Sequence, residues 1–120
     1  MTTIIQPNTY DFSIKKGEDF SLEILVQDNE TLDPIDLVNM VFTGDCRDHT
    51  SGRLLFSFEF VINEVPDTGL LDMSVSRDVT KALQPKSGIY DVFVYHTLED
   101  RREPFMQGSI TFDEESTHEQ

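Results

Sequence analysis

The residues with catalytic or metal-binding chemistry are few and widely separated along the chain. Cys46 is the single cysteine, and it shares a predicted strand face with Phe42, where a thiol acts as a small hydrophobic group. The histidines His49, His96 and His118 fall in a turn, on a strand and in the C-terminal tail, so no pair has zinc-ligand spacing. No serine stands in a Gly-x-Ser-x-Gly context, and no glycine-rich loop precedes a helix. The sequence therefore predicts a protein that is not an enzyme, with no catalytic residues, metal site or cofactor.

One acidic segment offers oxygen ligands of the kind that calcium uses. It contains Asp28, Asn29, Glu30, Asp33 and Asp36. Their spacing does not match the EF-hand loop, and a chain with 23 acidic and 9 basic residues collects carboxylates in its loops by composition alone. We expect a solvated loop, and calcium binding stands as the alternative.

Length and charge limit the classes of partner. The chain has 120 residues and a hydrophobic fraction of 38%, enough for one domain with a packed core. A formal net charge of −14 opposes binding to phosphate backbones, so we expect no nucleic-acid partner. No apolar run approaches the length of a membrane span, and the N-terminus lacks a signal-peptide pattern, so we expect a soluble, unexported chain.

Apolar and polar residues alternate along most of the chain, which is the pattern of half-buried strands. The alternation predicts seven strands, at about 10–14, 20–26, 39–47, 54–62, 71–75, 90–96 and 106–112. The first two look like antiparallel neighbours, and the charged segment from Leu98 to Pro104 is predicted as a turn. Residues 76–83 change to a helical period, with Ser76 or Asp78 as N-cap. These elements predict two antiparallel sheets packed face to face, in a domain over 1–112 followed by an acidic tail, 113–120.

The position of Tyr90 predicts a structural role for its side chain. It follows the helical turn and a Pro-Lys-Ser-Gly bend, at the second inward position of a strand. In immunoglobulin-type domains a tyrosine at such a place forms a "tyrosine corner", in which its hydroxyl hydrogen-bonds to backbone a few residues upstream. We predict this structural role for Tyr90, and an active-site role is the alternative.

The order of short motifs resembles the immunoglobulin-like domains of tailed-bacteriophage virion proteins, such as those of baseplate upper proteins and of tail or fibre adaptors. The resemblance covers nearly the whole chain. It is carried by Tyr10 to Phe20 (Tyr-x-Phe-x-Ile-x-x-Gly-x-x-Phe), Pro34 to Leu37 (Pro-Ile-Asp-Leu), Arg47, Gly69 to Leu71, Ser76 to Leu83, Gly88 to Val92 and Gly108 to Thr111. It implies an all-β, immunoglobulin-like β-sandwich of about seven antiparallel strands with one short helical turn.

The resemblance also implies a function. Such modules have no catalytic residues and act by docking to neighbouring subunits, so the expected partners are other virion structural proteins, in multiple copies of a symmetric assembly. The expected location is the virion, after synthesis in the host cytoplasm. The chain departs from the pattern in a more polar edge strand at 40–45. The alternatives are a capsid decoration protein and a carbohydrate-binding or host-surface-binding module; against the latter stand the absence of Trp and the inward parity of most Phe and Tyr residues.

Overall fold

Two β-sheets enclose one hydrophobic core in a computed structural model that describes residues 8–28, 30–49 and 52–114. A 3-10 turn spans Pro66–Thr68 and helix α1 spans Arg77–Lys81. The prediction of an all-β sandwich with little helix is confirmed. The strands are β1 (Asn8–Thr9), β2 (Phe12–Lys15), β3 (Phe20–Leu25), β4 (Met40–Arg47), β5 (Leu54–Ser57), β6 (Glu59–Ile62), β7 (Leu70–Val75), β8 (Ser87–His96) and β9 (Arg101–Asp113).

The larger sheet has the strand order β1-β9-β8-β4-β5, and β2 pairs with β9 beside β1. The smaller sheet has the order β3-β7-β6. Strands β1 and β2 run parallel to β9, whereas the other paired strands are antiparallel. We refer below to the larger sheet and the smaller sheet.

The alternating pattern gives each central strand one buried face. Along β8, every second residue from Gly88 to His96 is buried, and the residues between them are half-buried or exposed. The same period holds in β7 and in β4, where the glycine at position 44 takes an inward place that a Cβ atom would fill against Val92. The buried side chains of these strands include Phe42, Cys46, Leu71, Met73, Val75, Tyr90, Val92 and Val94.

The first strand does not pair as the sequence predicted. The expected antiparallel pair of 10–14 with 20–26 is wrong, because β2 pairs in parallel with β9 while β3 lies in the opposite sheet. The turn between them crosses the sandwich, and the ring of Phe12 stacks on that of Phe20 at 4.9 Å between centroids. Alternation identifies the face that a strand buries but not its partner, and both sheets face the same core.

The predicted strand at 54–62 is two strands in different sheets. Strand β5 pairs with β4 in the larger sheet, and β6 pairs with β7 in the smaller one. Between them Phe58 stays buried, and its backbone N–H donates to the carbonyl of Gly44 at 2.9 Å. Since residues of one parity point to the core in either sheet, a chain that crosses between the sheets keeps an unbroken alternating pattern.

The last strand is longer than predicted. Strand β9 begins at Arg101, so the turn expected from Leu98 to Pro104 is confined to 97–100. A register irregularity opposite Val92 and Phe93 places Phe105 and Met106 next to each other in the core. Two consecutive buried residues break the period of two, which is why the alternation alone missed the first half of β9. Asp113 ends the strand, Glu114 pairs with Lys16 at 3.3 Å, and the tail residues 115–120 lie outside the described part.

The connections meet at two opposite ends of the sandwich. At one end lie the loops 26–28 with 30–39, 63–69 and 97–100, joined by backbone hydrogen bonds from Leu37 to Pro66 (3.1 Å) and from Thr97 to Asn39 (3.0 Å). At the other end lie the connections 16–19, 48–49 with 52–53, and 76–86. There the buried hydroxyl of Thr80 accepts a hydrogen bond from the backbone N–H of Gly17 at 3.1 Å.

Helix α1 begins after Ser76, one of the two predicted N-caps. The Ser76 side chain makes no capping hydrogen bond. Instead the carboxylate of Asp19, from the β2–β3 turn, accepts the Arg77 backbone N–H at 2.7 Å. The cap therefore comes from a residue distant in sequence, and it joins α1 to the same turn that Thr80 contacts.

A Gly108→Ala substitution is expected to destabilise the protein by about 1–3 kcal/mol, the usual cost of overpacking. An added Cβ at Gly108 overlaps the backbone carbonyl of Tyr10, and a backbone group cannot turn aside as the end of a flexible side chain can. Urea denaturation of this variant measures the cost. Ser109→Ala, at the exposed neighbouring position, is the matched control and should change the unfolding free energy by less than about 0.5 kcal/mol. Equal stability of the two variants would contradict the close approach of β9 to the N-terminal strand.

Candidate interaction surfaces

Tyr90 fastens the N-terminal strand to the larger sheet. Its side chain is buried, and its hydroxyl donates a hydrogen bond to the backbone carbonyl of Tyr10. The partner is therefore not backbone a few residues upstream, as the tyrosine-corner hypothesis expected, but a residue 80 positions away in the chain. Burial and the nearby charge of Asp11 raise the pKa of Tyr90 well above its ordinary value, so the hydroxyl stays neutral and available as a donor.

The hydrogen bond lies at a gap in the pairing of the first strand. Thr9 is opposite Gln107 and Phe12 is opposite Ile110, but the two residues between belong to neither β1 nor β2. There the Tyr10 N–H donates to the Gln107 carbonyl at 2.8 Å, and the Asp11 carboxylate accepts the Ser109 N–H at 2.9 Å. The side chains of Tyr90 and Asp11 thus bind the Tyr10 carbonyl and the Ser109 N–H, two backbone groups that the parallel ladder leaves unpaired at this point.

Cys46 lies in the core, on the buried face of β4. Burial raises the pKa of its thiol to about 12. Because the thiolate is the nucleophilic form, such a thiol is inert at neutral pH. The structure places Cys46 where the sequence predicted, on the same face as Phe42.

The described histidines lie at opposite ends of the sandwich. His49 is exposed in the β4–β5 turn, with its Nε2 atom 3.5 Å from a carboxylate oxygen of Asp48. His96 is buried at the end of β8, with its Nε2 atom 2.6 Å from a carboxylate oxygen of Glu103, which also pairs with Arg101 at 3.1 Å. His118 lies outside the described residues.

The acidic loop uses carboxylates to hold its own backbone. Asp28 accepts the N–H groups of Glu30 and Thr31 at 2.8 and 3.0 Å, and these bonds lower the pKa of its carboxyl group. Asp36 accepts the N–H of Val38 at 3.0 Å. Among residues 8–28, 30–49 and 52–114, no group of three or more His, Cys, Asp or Glu side chains has the geometry to hold a metal ion. Asn29 lies outside the described residues.

An aromatic strip runs across the outer face of the larger sheet. The register places Val41 opposite Tyr95, Tyr95 opposite Arg102, and Phe93 opposite Pro104. Val41 is 49% exposed, and the rings of Phe93 and Tyr95 are half-buried although they point away from the core. We call these five residues the aromatic strip.

Polar groups fix the side chains of the aromatic strip. The Arg102 guanidinium lies 3.9 Å from the centroid of the Phe93 ring, a cation–π contact. The Tyr95 hydroxyl donates to the Asp100 carboxylate at 2.6 Å, and this bond raises the pKa of Tyr95. Rigid aromatic rings with a neighbouring arginine are the residue types that contribute most energy to protein interfaces.

Reasoning from the sequence missed the aromatic strip. Phe93 and Tyr95 stood on the outward parity of their strand, opposite the face of Tyr90 and Val92, so their exposure was visible in the pattern. Their neighbours were not, since Val41 and Arg102 meet them only through the register of β8 with β4 and β9. The expectation of inward parity concerned most Phe and Tyr residues, and Phe93 and Tyr95 were not among them.

No known family model matches this chain, and no curated protein matches it in sequence. Within the described residues, the one α-helix, α1, is far too short to cross a membrane.

A Tyr90→Phe substitution is expected to lower the unfolding free energy by about 1 kcal/mol, the scale of one hydrogen bond. The ring keeps its packing while the Tyr10 carbonyl loses its donor. Urea denaturation gives the difference. Tyr95→Phe is the matched control, because its hydroxyl bond is exposed and should be worth less than about 0.5 kcal/mol. If the two variants lose stability equally, the buried bond does not fasten the strand.

A Cys46→Ala substitution is expected to make the protein less sensitive to alkaline pH. The folded-state pKa of about 12 exceeds the ordinary value of 9.0, so the unfolded chain releases the thiol proton first as pH rises. The contribution of this thiol to stability is complete below pH 9 and is lost progressively between pH 9 and 12. Urea unfolding at pH 8, 9 and 10 should show a shallower decline for the variant, and parallel declines would contradict the raised pKa.

Proposed function

We propose that this protein is a non-enzymatic structural component of a tailed-phage virion, an immunoglobulin-like assembly module of the tail, baseplate or fibre. The observation that carries the proposal is the aromatic strip, a fixed apolar and cationic surface on the outer face of a rigid sheet. The virion setting is supported by the ordered series of short motifs in the sequence, from Tyr10 to Thr111.

The immunoglobulin-like topology is supported by the strand order. In such sandwiches strands B, E and D form one sheet, and strands G, F, C and C′ form the other. The orders β3-β7-β6 and β9-β8-β4-β5 follow the same sequence of neighbours when β3 is taken as B. On this assignment Tyr90 belongs to strand F, as a tyrosine corner does, although its hydroxyl bonds to the N-terminal strand.

The aromatic strip fits an assembly role because its contact chemistry is already in place. A surface with rings held by Arg102 and Asp100 loses little side-chain entropy on binding. The strip is smaller than a full interface, and repeated copies on a symmetric particle compensate for weak single contacts through multivalency. The proposed partners are neighbouring virion proteins, and the proposed location is the virion, reached after synthesis in the host cytoplasm.

Quantitative mass spectrometry of purified particles, produced by the genome that encodes this chain, tests the proposal. We expect a fixed copy number per particle. A Phe93→Ser variant should lose most of its incorporation, since it removes the central ring of the strip, while its thermal melt stays within a few degrees of wild type. Val61→Ser is the matched control, because Val61 is exposed on the smaller sheet, and it should be incorporated normally.

Two outcomes would replace this proposal with an alternative. Recovery of the protein with isolated heads and not with tails would make it a capsid decoration protein. A saturable signal on a glycan array, lost in the Phe93→Ser variant, would make the aromatic strip a carbohydrate-binding platform. Absence from particles in which other virion proteins are detected would overturn a structural role altogether.

A further inference from the structure

One edge of the smaller sheet offers backbone groups for a further strand. Among the described residues, β3 pairs with β7 along one side and with no strand along the other. At the nearby edge of the larger sheet, by contrast, β1 and β2 pair with β9. A strand with unpaired N–H and C=O groups is a template for another extended chain. We call the outer side of β3 the β3 edge.

The register identifies the backbone groups that point outward at the β3 edge. In an antiparallel pair, residues that exchange hydrogen bonds alternate with residues whose N–H and C=O groups point away from the partner strand. The Val26 N–H donates to the Gly69 carbonyl at 2.8 Å, one step beyond the last pair of β3 with β7. Counting back by two, Ile24 and Leu22 bond to β7. The residues whose backbone groups point outward are therefore Ser21, Glu23 and Leu25.

An apolar groove lies beside the β3 edge, on the open side of the sandwich. It has a volume of about 490 Å³, and its lining consists of Leu22, Glu23 and Ile24 of β3 together with Thr9, Tyr10 and Met106 from the other sheet. Leu22 and Ile24 are only half-buried, although they share the inward parity of their strand. An apolar side chain from a strand added to β3 would complete their burial.

The chain itself has a segment of the right length next to this groove. Residues 1–7 lie outside the described part and join it at Asn8. Asn8 begins β1, and the next residue, Thr9, lines the groove. Six extended residues span about 20 Å, the length of a six-residue strand such as β3. The segment is therefore long enough to lie along the β3 edge, and it is attached beside it.

The direction of the chain also fits. Strands β1 and β2 both run parallel to β9, and the turn 16–19 reverses the chain between β2 and β3. An extended segment that enters β1 in line with it therefore runs antiparallel to β3. Strand β7 has the same orientation on the other side of β3.

The residue types of the segment are those of a strand. Residues 2–6 read Thr-Thr-Ile-Ile-Gln, so four of the five are β-branched. They carry no charge, and Glu23 at the β3 edge does not repel them. Pro7 follows, and because proline has no backbone N–H it is suited to a strand boundary. A proline between this segment and β1 fits a chain that changes from one sheet to the other at that point.

We propose that residues 2–6 of this chain dock on the β3 edge as an antiparallel strand, with either Ile4 or Ile5 in the groove beside Leu22 and Ile24. Neighbouring residues of a strand point to opposite sides, so only one isoleucine enters the groove. The docked segment covers backbone groups that would otherwise pair with other chains. This contact lies within one chain and is independent of the proposed assembly role.

Hydrogen exchange of the full chain, followed by NMR at single amides, tests the proposal. The Glu23 and Leu25 amides should be protected, because the added strand must open before they exchange. The matched controls are the Phe60 and Ile62 amides at the opposite edge of the same sheet. We expect the two amides of the β3 edge to exchange at least about tenfold more slowly than these controls, relative to their rates in an unstructured chain.

The controls are assigned by the same alternation. The Asn63 N–H donates to the Leu70 carbonyl at 3.0 Å, one step beyond the last pair of β6 with β7. The Phe60 and Ile62 amides therefore point away from β7. Among the described residues, no strand pairs with β6 on that side.

The variants Ile4→Ser and Ile5→Ser identify the segment as the occupant. One of them should remove the protection of Glu23 and Leu25 and lower the thermal melt by several degrees, since it loses the side chain in the groove. The other should leave both measurements unchanged and serves as its control. The Leu22 and Ile24 amides, which bond to β7, should stay protected in both variants and report that β3 remains folded.

Three results would overturn the proposal. Equal exchange at the two edges would mean that the β3 edge is open. Protection that survives both variants would mean that another group covers it. Protection that increases between about 50 µM and about 1 mM protein would assign the edge to a second copy of the chain instead of its own segment. Incorporation into particles is measured separately, so each of these results leaves the proposed function unaffected.

Discussion

The hydrogen bond between the Tyr90 hydroxyl and the Tyr10 carbonyl closes the sandwich. The N-terminal strand contributes few ladder bonds to the edge, since β1 has two residues and β2 has four. Between them the Tyr10 carbonyl turns toward the core, and burial makes the Tyr90 hydroxyl a permanent neutral donor to it. The glycine at position 108 permits this approach, because any side chain there would occupy the space of the Tyr10 carbonyl. The edge of the larger sheet depends on this closure, since among the described residues β9 pairs with β8 along one side and with β1 and β2 along the other.

The alternation of apolar and polar residues was enough to predict where most strands lie and which face of each strand is buried. Strand β4 was predicted from Asn39 to Arg47 and found at Met40–Arg47, with Phe42 and Cys46 inward as expected. It lies between β8 and β5, so it is not the edge strand that the resemblance implied. The alternation did not indicate which strands pair with each other. The parallel partner of β2 lies about a hundred residues away in the chain. At Phe58 the chain passes from one sheet to the other while apolar and polar residues continue to alternate. Both errors have one physical cause, which is that two sheets facing the same core impose the same pattern on the chain.

The interaction surfaces show the same division between local and distant information. A structural role for Tyr90 was predicted from its position after a bend. Its hydrogen-bond partner, Tyr10, was not predicted, because the donor and acceptor meet only in the folded chain. The exposure of Phe93 and Tyr95 was implicit in their parity, whereas the contact of Arg102 with Phe93 depends on the register of β8 with β9. Residue type and parity therefore predict which side chains are exposed. The register between strands decides which exposed side chains lie next to each other and form an interaction surface.

The net charge of this protein does not describe how charge is distributed over its surface. A net charge of −14 predicts mutual repulsion of free copies, and that repulsion falls off beyond a Debye length of about 8 Å at physiological salt. Contacts across an interface are shorter than this length, so the local distribution of charge decides which surfaces meet. In this fold the loops at one end carry eight acidic residues and no Lys or Arg, whereas the connections at the other end carry five basic and four acidic residues. The negative charge of this protein is therefore concentrated at the end where the strands place their acidic loops.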